Sequence, residues 1–528
     1  MTAPHTELVP VRPLAQKQAQ NGHIGTPQPL SLRGYLANAG AIPVVIALAI
    51  FAIFVPALTA PYAFSDDYPV LYIANGLGSS PWFGTSVVKT VAASGRPLAG
   101  VADQLLFSAA GTIDNLWLVR LVGVTGIVLL ALLVHWALVR SHVSLTVAAP
   151  IAVLVCTQPA FLVFGSWAVL FNVPYAAILG GIASLLTGSA ARERRPAAGK
   201  LAGAVTVLLG AVFIYQSAAM FFWVFLAIAL VGSRHDTARI ARLLRLHLGV
   251  AGLALAVAYV STKIIVRAVG TAAPNAARDA LVHHVAGKAG WFLREPLYHA
   301  LSLFELRPAS WLALPVALVA IVGIQLALRR EGLQSLRLLA VGALLIPLAF
   351  LPSLAVAENS PTYRVQVALT SLIALYASLG AVGIWLVVRD RFEGGALLRA
   401  DRLALATGIA FVFVTCAVAA RTVTKQMVEP QSTELRIMRS QLAAVRADAP
   451  VIGFVQLAWN RGYYTDELGL ASAARPWTPE PAIDLILREE GRLPPRQSRP
   501  VISVIPWYTT TIPRTEPVIN LRVLDQLR

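Results

Sequence analysis

Asp66 and Asp67 stand side by side in Phe64-Ser65-Asp66-Asp67-Tyr68, directly after the first long apolar run of the chain. A carboxylate suits the removal of a proton from an attacking hydroxyl. Two together also supply the anionic oxygens that a hard divalent cation such as Mg or Mn prefers. Carboxylates at the mouth of an apolar segment are costly to keep, which marks them as functional candidates, although either could simply cap the helix that follows. Arg364 closes the stretch Glu358-Asn359-Ser360-Pro361-Thr362-Tyr363-Arg364 and could hold a phosphate through both arms of its guanidinium, or snorkel to headgroups. Arg96, in Gly95-Arg96-Pro97-Leu98, has the same two readings, and Lys89 is a third cation that could serve a phosphate or remain a surface charge. Tyr215, Gln216, Glu358 and Tyr363 offer hydrogen-bonding groups for a polyhydroxylated ligand; a buried Gln can equally bond a neighbouring helix.

These residues need a scaffold, and composition says which kind. Of 528 residues, 57% are hydrophobic and only 13% charged, too few charges to cover a water-soluble globule of this size. The expectation is an all-α polytopic membrane protein. A crossing helix needs about 20 apolar residues. Candidate spans fall near 38–60, 116–138, 144–164, 167–188, 201–216, 218–232, 248–270, 309–328, 338–356, 367–388 and 403–420, eleven in all. The net charge of +17 lies in short clusters between apolar runs, such as Arg192, Arg194, Arg195 and Lys200, or Arg234, Arg239, Arg242 and Arg245. That pattern orients spans and places these clusters and the N-terminus inside; it does not describe a nucleic-acid surface. Residues 1–37, polar and rich in Pro, Gln and Gly, read as a disordered cytoplasmic tail.

The same orientation puts the segments with chemistry outside. The loop 61–115 carries apolar residues at three- and four-residue steps from Val87 to Phe107, interrupted by Gly95 and Pro97, and is expected to lie along the membrane surface. In 271–308, Ala277, Leu281, Val285, Ala289 and Phe292 share one helical face while Arg278, His283 and Lys288 fall elsewhere. Residues 421–528 are polar enough to fold in water as a small α/β domain, with helices near 433–446 and 482–489 and strand-like runs at 451–456 and 501–506. Cys156 and Cys416 lie inside apolar segments, which leaves no disulfide framework. No P-loop, dinucleotide fingerprint, zinc-protease motif or nucleophile elbow occurs.

The order Phe64-Ser65-Asp66-Asp67-Tyr68, then Gly95-Arg96-Pro97-Leu98, then Asp114, with Tyr215-Gln216 in a double span and a late outer Arg364, resembles the Gtr type II O-antigen glucosyltransferase family of the GT-C superfamily. The resemblance covers most of residues 40–390. It implies an inverting membrane glycosyltransferase of the bacterial cytoplasmic membrane that uses a polyprenyl-phosphate-linked sugar donor and a glycan or lipid acceptor on the outer face. On that resemblance the acidic pair carries the base, and Arg364 and Arg96 bind donor phosphate. The rival expectation is a transporter or flippase of lipid-linked saccharides, which calls for charges buried in mid-span and inverted repeats.

Overall fold

The computed structural model describes residues 39–80, 83–193, 197–232, 237–269, 280–303, 310–328, 333–392, 394–446, 449–456, 468, 472–493, 499–506 and 517–522. Two units are present, Met1–Gly40 and Ala41–Arg528, and the second is the subject below. The expected tail 1–37 lies outside the described residues.

Helix α1 (Ile42–Thr59) is apolar throughout and carries Pro56 in its last turn, where the missing N–H costs the ladder only the bond to the carbonyl four residues earlier. An outer excursion follows with α2 (Asp67–Ala74), α3 (Val87–Ala93) and α4 (Pro97–Ala110). The break between α3 and α4 falls where Gly95 and Pro97 predict it: Gly95 sits at φ +78°, and Pro97 opens α4 as its first residue. Gly111 closes α4 in the left-handed conformation. Then come α5 (Leu116–Arg140), α6 (Leu145–Val155), α7 (Pro159–Ser166) and α8 (Val173–Ala190). Next are α9 (Ala198–Ile214), α10 (Phe221–Val231), α11 (Thr237–Val269), α12 (Val285–Arg294), α13 (Ser310–Leu328), α14 (Leu333–Leu348), α15 (Val367–Arg389) and α16 (Gly394–Thr422).

Each of the eleven expected spans falls on helix, but they are not equal. Among the described residues six helical segments are long and apolar enough to cross a membrane: Ile42–Thr59, Leu116–Arg140, Ala168–Ala190, Ala238–Val269, Tyr363–Arg389 and Arg399–Ala443. Helices α6 and α7 make a seventh only as a pair bent by 67°. The other four, Ala198–Ile214, Gln216–Val231, Trp311–Leu326 and Leu336–Leu348, are shorter apolar helices. The protein is a helical membrane protein, and the eleven expected spans divide into full-length and shorter apolar helices because apolar length does not register a backbone break. Tyr215 is one such break, extended at φ −158° between α9 and the short helix Gln216–Ala219.

The last span runs through a π-helical turn, Val423–Val428, into α17 (Glu429–Ala443). Beyond it β1 (Val451–Val455), β2 (Val501–Ile505) and β3 (Val518–Asn520) form a parallel sheet in the order β2-β1-β3, with α18 (Pro479–Glu489) packed beside it. The first two strands match the two apolar runs read from sequence; β3, only three residues long, carried no such signal. One hydrophobic core joins this part to the outer excursion, with Tyr68, Leu71, Phe107 and Ile113 packing into the same cluster as Leu435, Met438, Phe454, Ile486 and Ile519. A polar clasp closes that boundary: Arg499 donates to Asp484 (3.1 Å), to the Tyr72 hydroxyl (3.2 Å) and to the Leu77 carbonyl (2.8 Å).

Candidate active site

The acidic pair is divided by its own helix start. Asp67 is fully buried, and each of its oxygens accepts a backbone N–H, Oδ2 from Phe64 at 2.9 Å and Oδ1 from Val169 at 2.8 Å. It therefore staples the loop to the segment after α7. Burial pushes its carboxyl up to about 7, against the two N–H bonds and the nearby Arg120, which favour the charged form. Asp66 is half-buried; its Oδ1 accepts the Trp477 indole N–H at 2.9 Å and the Ser65 hydroxyl at 3.2 Å, and its Oδ2 has no hydrogen bond among the described residues.

The two carboxylates are not equally available to the cation expected of them. Asp67 has both oxygens engaged by backbone donors, and no group of three or more His, Cys, Asp or Glu side chains converges among the described residues. A hard cation such as Mg is commonly held by one or two carboxylates with waters and substrate phosphates, for which the open Asp66 oxygen is the more accessible ligand.

Trp167 connects the acidic loop to the late arginine. Its ring meets Phe64 edge-on at 4.7 Å, and on it rests the Arg364 guanidinium, 5.4 Å from the ring centre. Arg364 belongs to a short 3-10 turn, Tyr363–Gln366, ahead of α15. Tyr363 is buried at 2% exposure among apolar side chains of the span core. Glu358 lies farther back, where its carbonyl accepts the Lys288 ammonium at 2.7 Å; Asn359 Oδ1 accepts it as well, at 2.9 Å. Lys288 is itself buried, above the Trp291 ring at 4.3 Å, while Leu281, Val285 and Leu293 around it are exposed. The apolar stripe read from sequence on 271–308 thus faces outward at Leu281 and Val285, and the polar residue faces in. Ala277 and Arg278 lie outside the described residues.

The second sequence cluster also assembles. Gln216 donates to the Gly95 carbonyl at 3.0 Å, and the Arg96 guanidinium lies over the Tyr215 ring at 5.5 Å. A Cβ on Gly95 would stand 3.1 Å from the Gln216 amide nitrogen and 3.3 Å from the Thr262 hydroxyl, so this contact needs glycine for space as well as for its positive φ. Lys89 is not drawn in. It is exposed on α3, and its ammonium makes no bond among the described residues.

Two residues here carried no signal in the sequence. Asp103, on the inner face of α4, is 2% exposed and accepts the Asn172 amide at 2.9 Å. Burial pushes its carboxyl up to about 8, with Arg96 opposing and Asp67 adding to the rise. Arg120 is fully buried at the start of α5 and donates to the carbonyls of Ala57 (2.8 Å), Tyr62 (3.1 Å) and Ala60 (3.4 Å), while stacking on Tyr62 at 3.8 Å. It satisfies the open carbonyls at the end of α1 and fixes where the acidic loop leaves the span.

No family model matches this sequence, and no curated protein matches it. Among solved structures the chain is similar to the archaeal oligosaccharyltransferase AglB from Archaeoglobus fulgidus in complex with an inhibitory peptide and a dolichol-phosphate, at 13% identity and a TM-score of 0.46. The match covers 84% of this chain and 65% of that one. It is also similar to the Archaeoglobus fulgidus oligosaccharyltransferase in complex with Zn and sulfate, at 14% identity and a TM-score of 0.43, covering 82% of this chain and 62% of the other. This chain therefore spans less than two thirds of the length of either, and at such scores the functional reading rests on its own residues.

Proposed function

We propose that this protein is a membrane glycosyltransferase of the GT-C kind, related in plan to the Gtr type II enzymes, which moves a sugar from a polyprenyl-phosphate donor to a glycan or lipid acceptor at the outer face of the bacterial cytoplasmic membrane. The observation that carries this reading is the split of the acidic pair. Asp67 is consumed in holding the loop, which leaves Asp66 half-buried with an oxygen open, in the loop whose Phe64 meets the Trp167 ring that Arg364 covers. In the reaction, Asp66 takes the proton of the acceptor hydroxyl as its oxygen attacks the anomeric carbon. The bond from that carbon to the phosphate oxygen breaks, and the departing polyprenyl phosphate keeps the electron pair. Attack opposite the leaving group inverts the anomeric centre. Arg364 meets the negative charge that develops on the phosphate, a task matched to a bidentate guanidinium. Arg96, over Tyr215, serves a second anionic or hydroxyl contact, and no step needs a metal.

All eleven apolar segments then cross or enter the membrane, with the basic clusters inside and the loop 61–115, Arg364 and the C-terminal sheet outside. The test is transfer of radiolabelled sugar from polyprenyl-phosphate donors in membranes holding wild type, Asp66→Asn or Asp67→Asn at equal expression. Asp66→Asn is expected to lose roughly 100- to 10,000-fold in kcat, the range of a general base, whereas Asp67→Asn is expected to lose folded protein. Full transfer in Asp66→Asn would remove the assignment of the base.

A further inference from the structure

The group that fixes the Asp66 carboxylate comes from the far end of the chain. Trp477 stands between the short 3-10 turn Ser472–Ala474 and α18, and its indole N–H meets Asp66 Oδ1 at 2.9 Å. The Arg475 guanidinium lies 5.5 Å from the centre of the same indole. One residue earlier in the loop, the Ser65 backbone N–H donates to the Ser472 hydroxyl at 2.8 Å, and that hydroxyl donates to Gln431 Oε1 at 2.7 Å. Glu434, fully buried on α17, accepts the backbone N–H groups of Ser472 (2.8 Å) and Ala473 (2.7 Å). Ser65 is held at φ +46°, a conformation a non-glycine residue keeps only when its surroundings enforce it.

We infer that Trp477 and Ser472 are positioning residues for the reaction at Asp66, which makes the C-terminal segment a working part of the reaction centre rather than a cover over it. Ser472 sets the backbone of the loop; Trp477 sets the rotamer of the carboxylate and directs its other oxygen to the acceptor. This inference rests on the reading of Asp66 as the base. The experiment compares initial-rate kinetics of wild type, Asp66→Asn, Trp477→Phe and Trp477→His in purified, detergent-solubilised full-length protein with a polyprenyl-phosphate-sugar donor. Trp477→Phe keeps an aromatic ring and removes the N–H. It is expected to lower kcat by roughly 10- to 100-fold, the effect of one hydrogen bond to a charged group, with donor and acceptor KM within about twofold of wild type. Trp477→His restores a ring N–H and is expected to recover part of that loss. Turnover in Trp477→Phe equal to wild type, beside an inactive Asp66→Asn, overturns the positioning role and leaves the base in place. A loss in Trp477→Phe that Trp477→His does not lessen overturns it as well, since a purely structural role would produce that pattern. Transfer retained in Asp66→Asn instead defeats the assignment of the base.

Discussion

The two sides of the candidate site are held in different ways. The loop that carries Asp66 is fixed from three directions: Asp67 ties it to the segment after α7, Ser472 and Trp477 hold it from the C-terminal part, and its following helix shares that part's hydrophobic core. The segment that carries Arg364 is seated by burial, with Thr362, Tyr363 and Gln366 each at 2% exposure or less. Its upstream stretch pairs with residues 280–282 through two backbone bonds, and Lys288 fastens it at Glu358 and Asn359. A proton acceptor must sit within hydrogen-bond reach of a small target, whereas a cation that meets a phosphate acts over a longer range and must also let a bulky lipid enter and leave. On the proposed roles, directional hydrogen bonds aim the acid side, whereas burial and a polar tether seat the cation side.

Breaking the acid side should cost most. Glu434→Ala leaves the N–H groups of Ser472 and Ala473 buried without their acceptor, and each such group costs about 1–3 kcal/mol. A destabilisation of roughly 2–5 kcal/mol is expected, read as a lowered thermal midpoint together with lost transfer. Unchanged stability would mean that the C-terminal clamp does not hold the loop. On the tethered side, Lys288→Met keeps the stem above Trp291 and removes the ammonium that fastens residues 358 and 359. The contrast predicts a donor KM raised by several-fold, about 1 kcal/mol, with little change in thermal midpoint; a fall in kcat at unchanged KM would erase the distinction.

The smallest effect concerns pH. Asp103 is raised from the ordinary carboxylate range to about 8 by burial. Between that range and pH 8 the folded protein holds a proton there that the unfolded chain has released, so stability falls as pH rises through this window and is greater on its acid side. Thermal midpoints measured from pH 5 to 9 should decline, and Asp103→Asn, which keeps a partner for Asn172, should flatten the decline. An equal slope in the variant would show that Asp103 is not the group responsible.

How much of this was legible in the sequence follows from what each signal depends on. The spans were visible because apolar length is a property of consecutive residues, and the break at Gly95 and Pro97 because both act on their own backbone. The breaks inside the apolar runs were hidden for the same reason, since Tyr215 or the bend between α6 and α7 changes direction without changing composition. Asp66 and Asp67 were found together but could not be separated, because only the start of α2 decides which carboxylate turns inward. Asp103 reads as an ordinary polar residue of an amphipathic helix until Asn172, 69 positions away, comes to its side. Trp477 gave no cue at all, its partner lying 411 positions earlier.

The bond from Ser65 to Ser472 joins residues 407 positions apart, which has a consequence for how the protein is made. At about 5–20 residues per second of synthesis, the loop bearing Asp66 leaves the ribosome roughly 20 to 80 s before its partner exists. During that interval Tyr68, Leu71 and Phe107 lack the part of their core that Leu435, Phe454 and Ile486 supply. The loop therefore gains its last structural bonds only when the C-terminal segment has been made, long after its own helices.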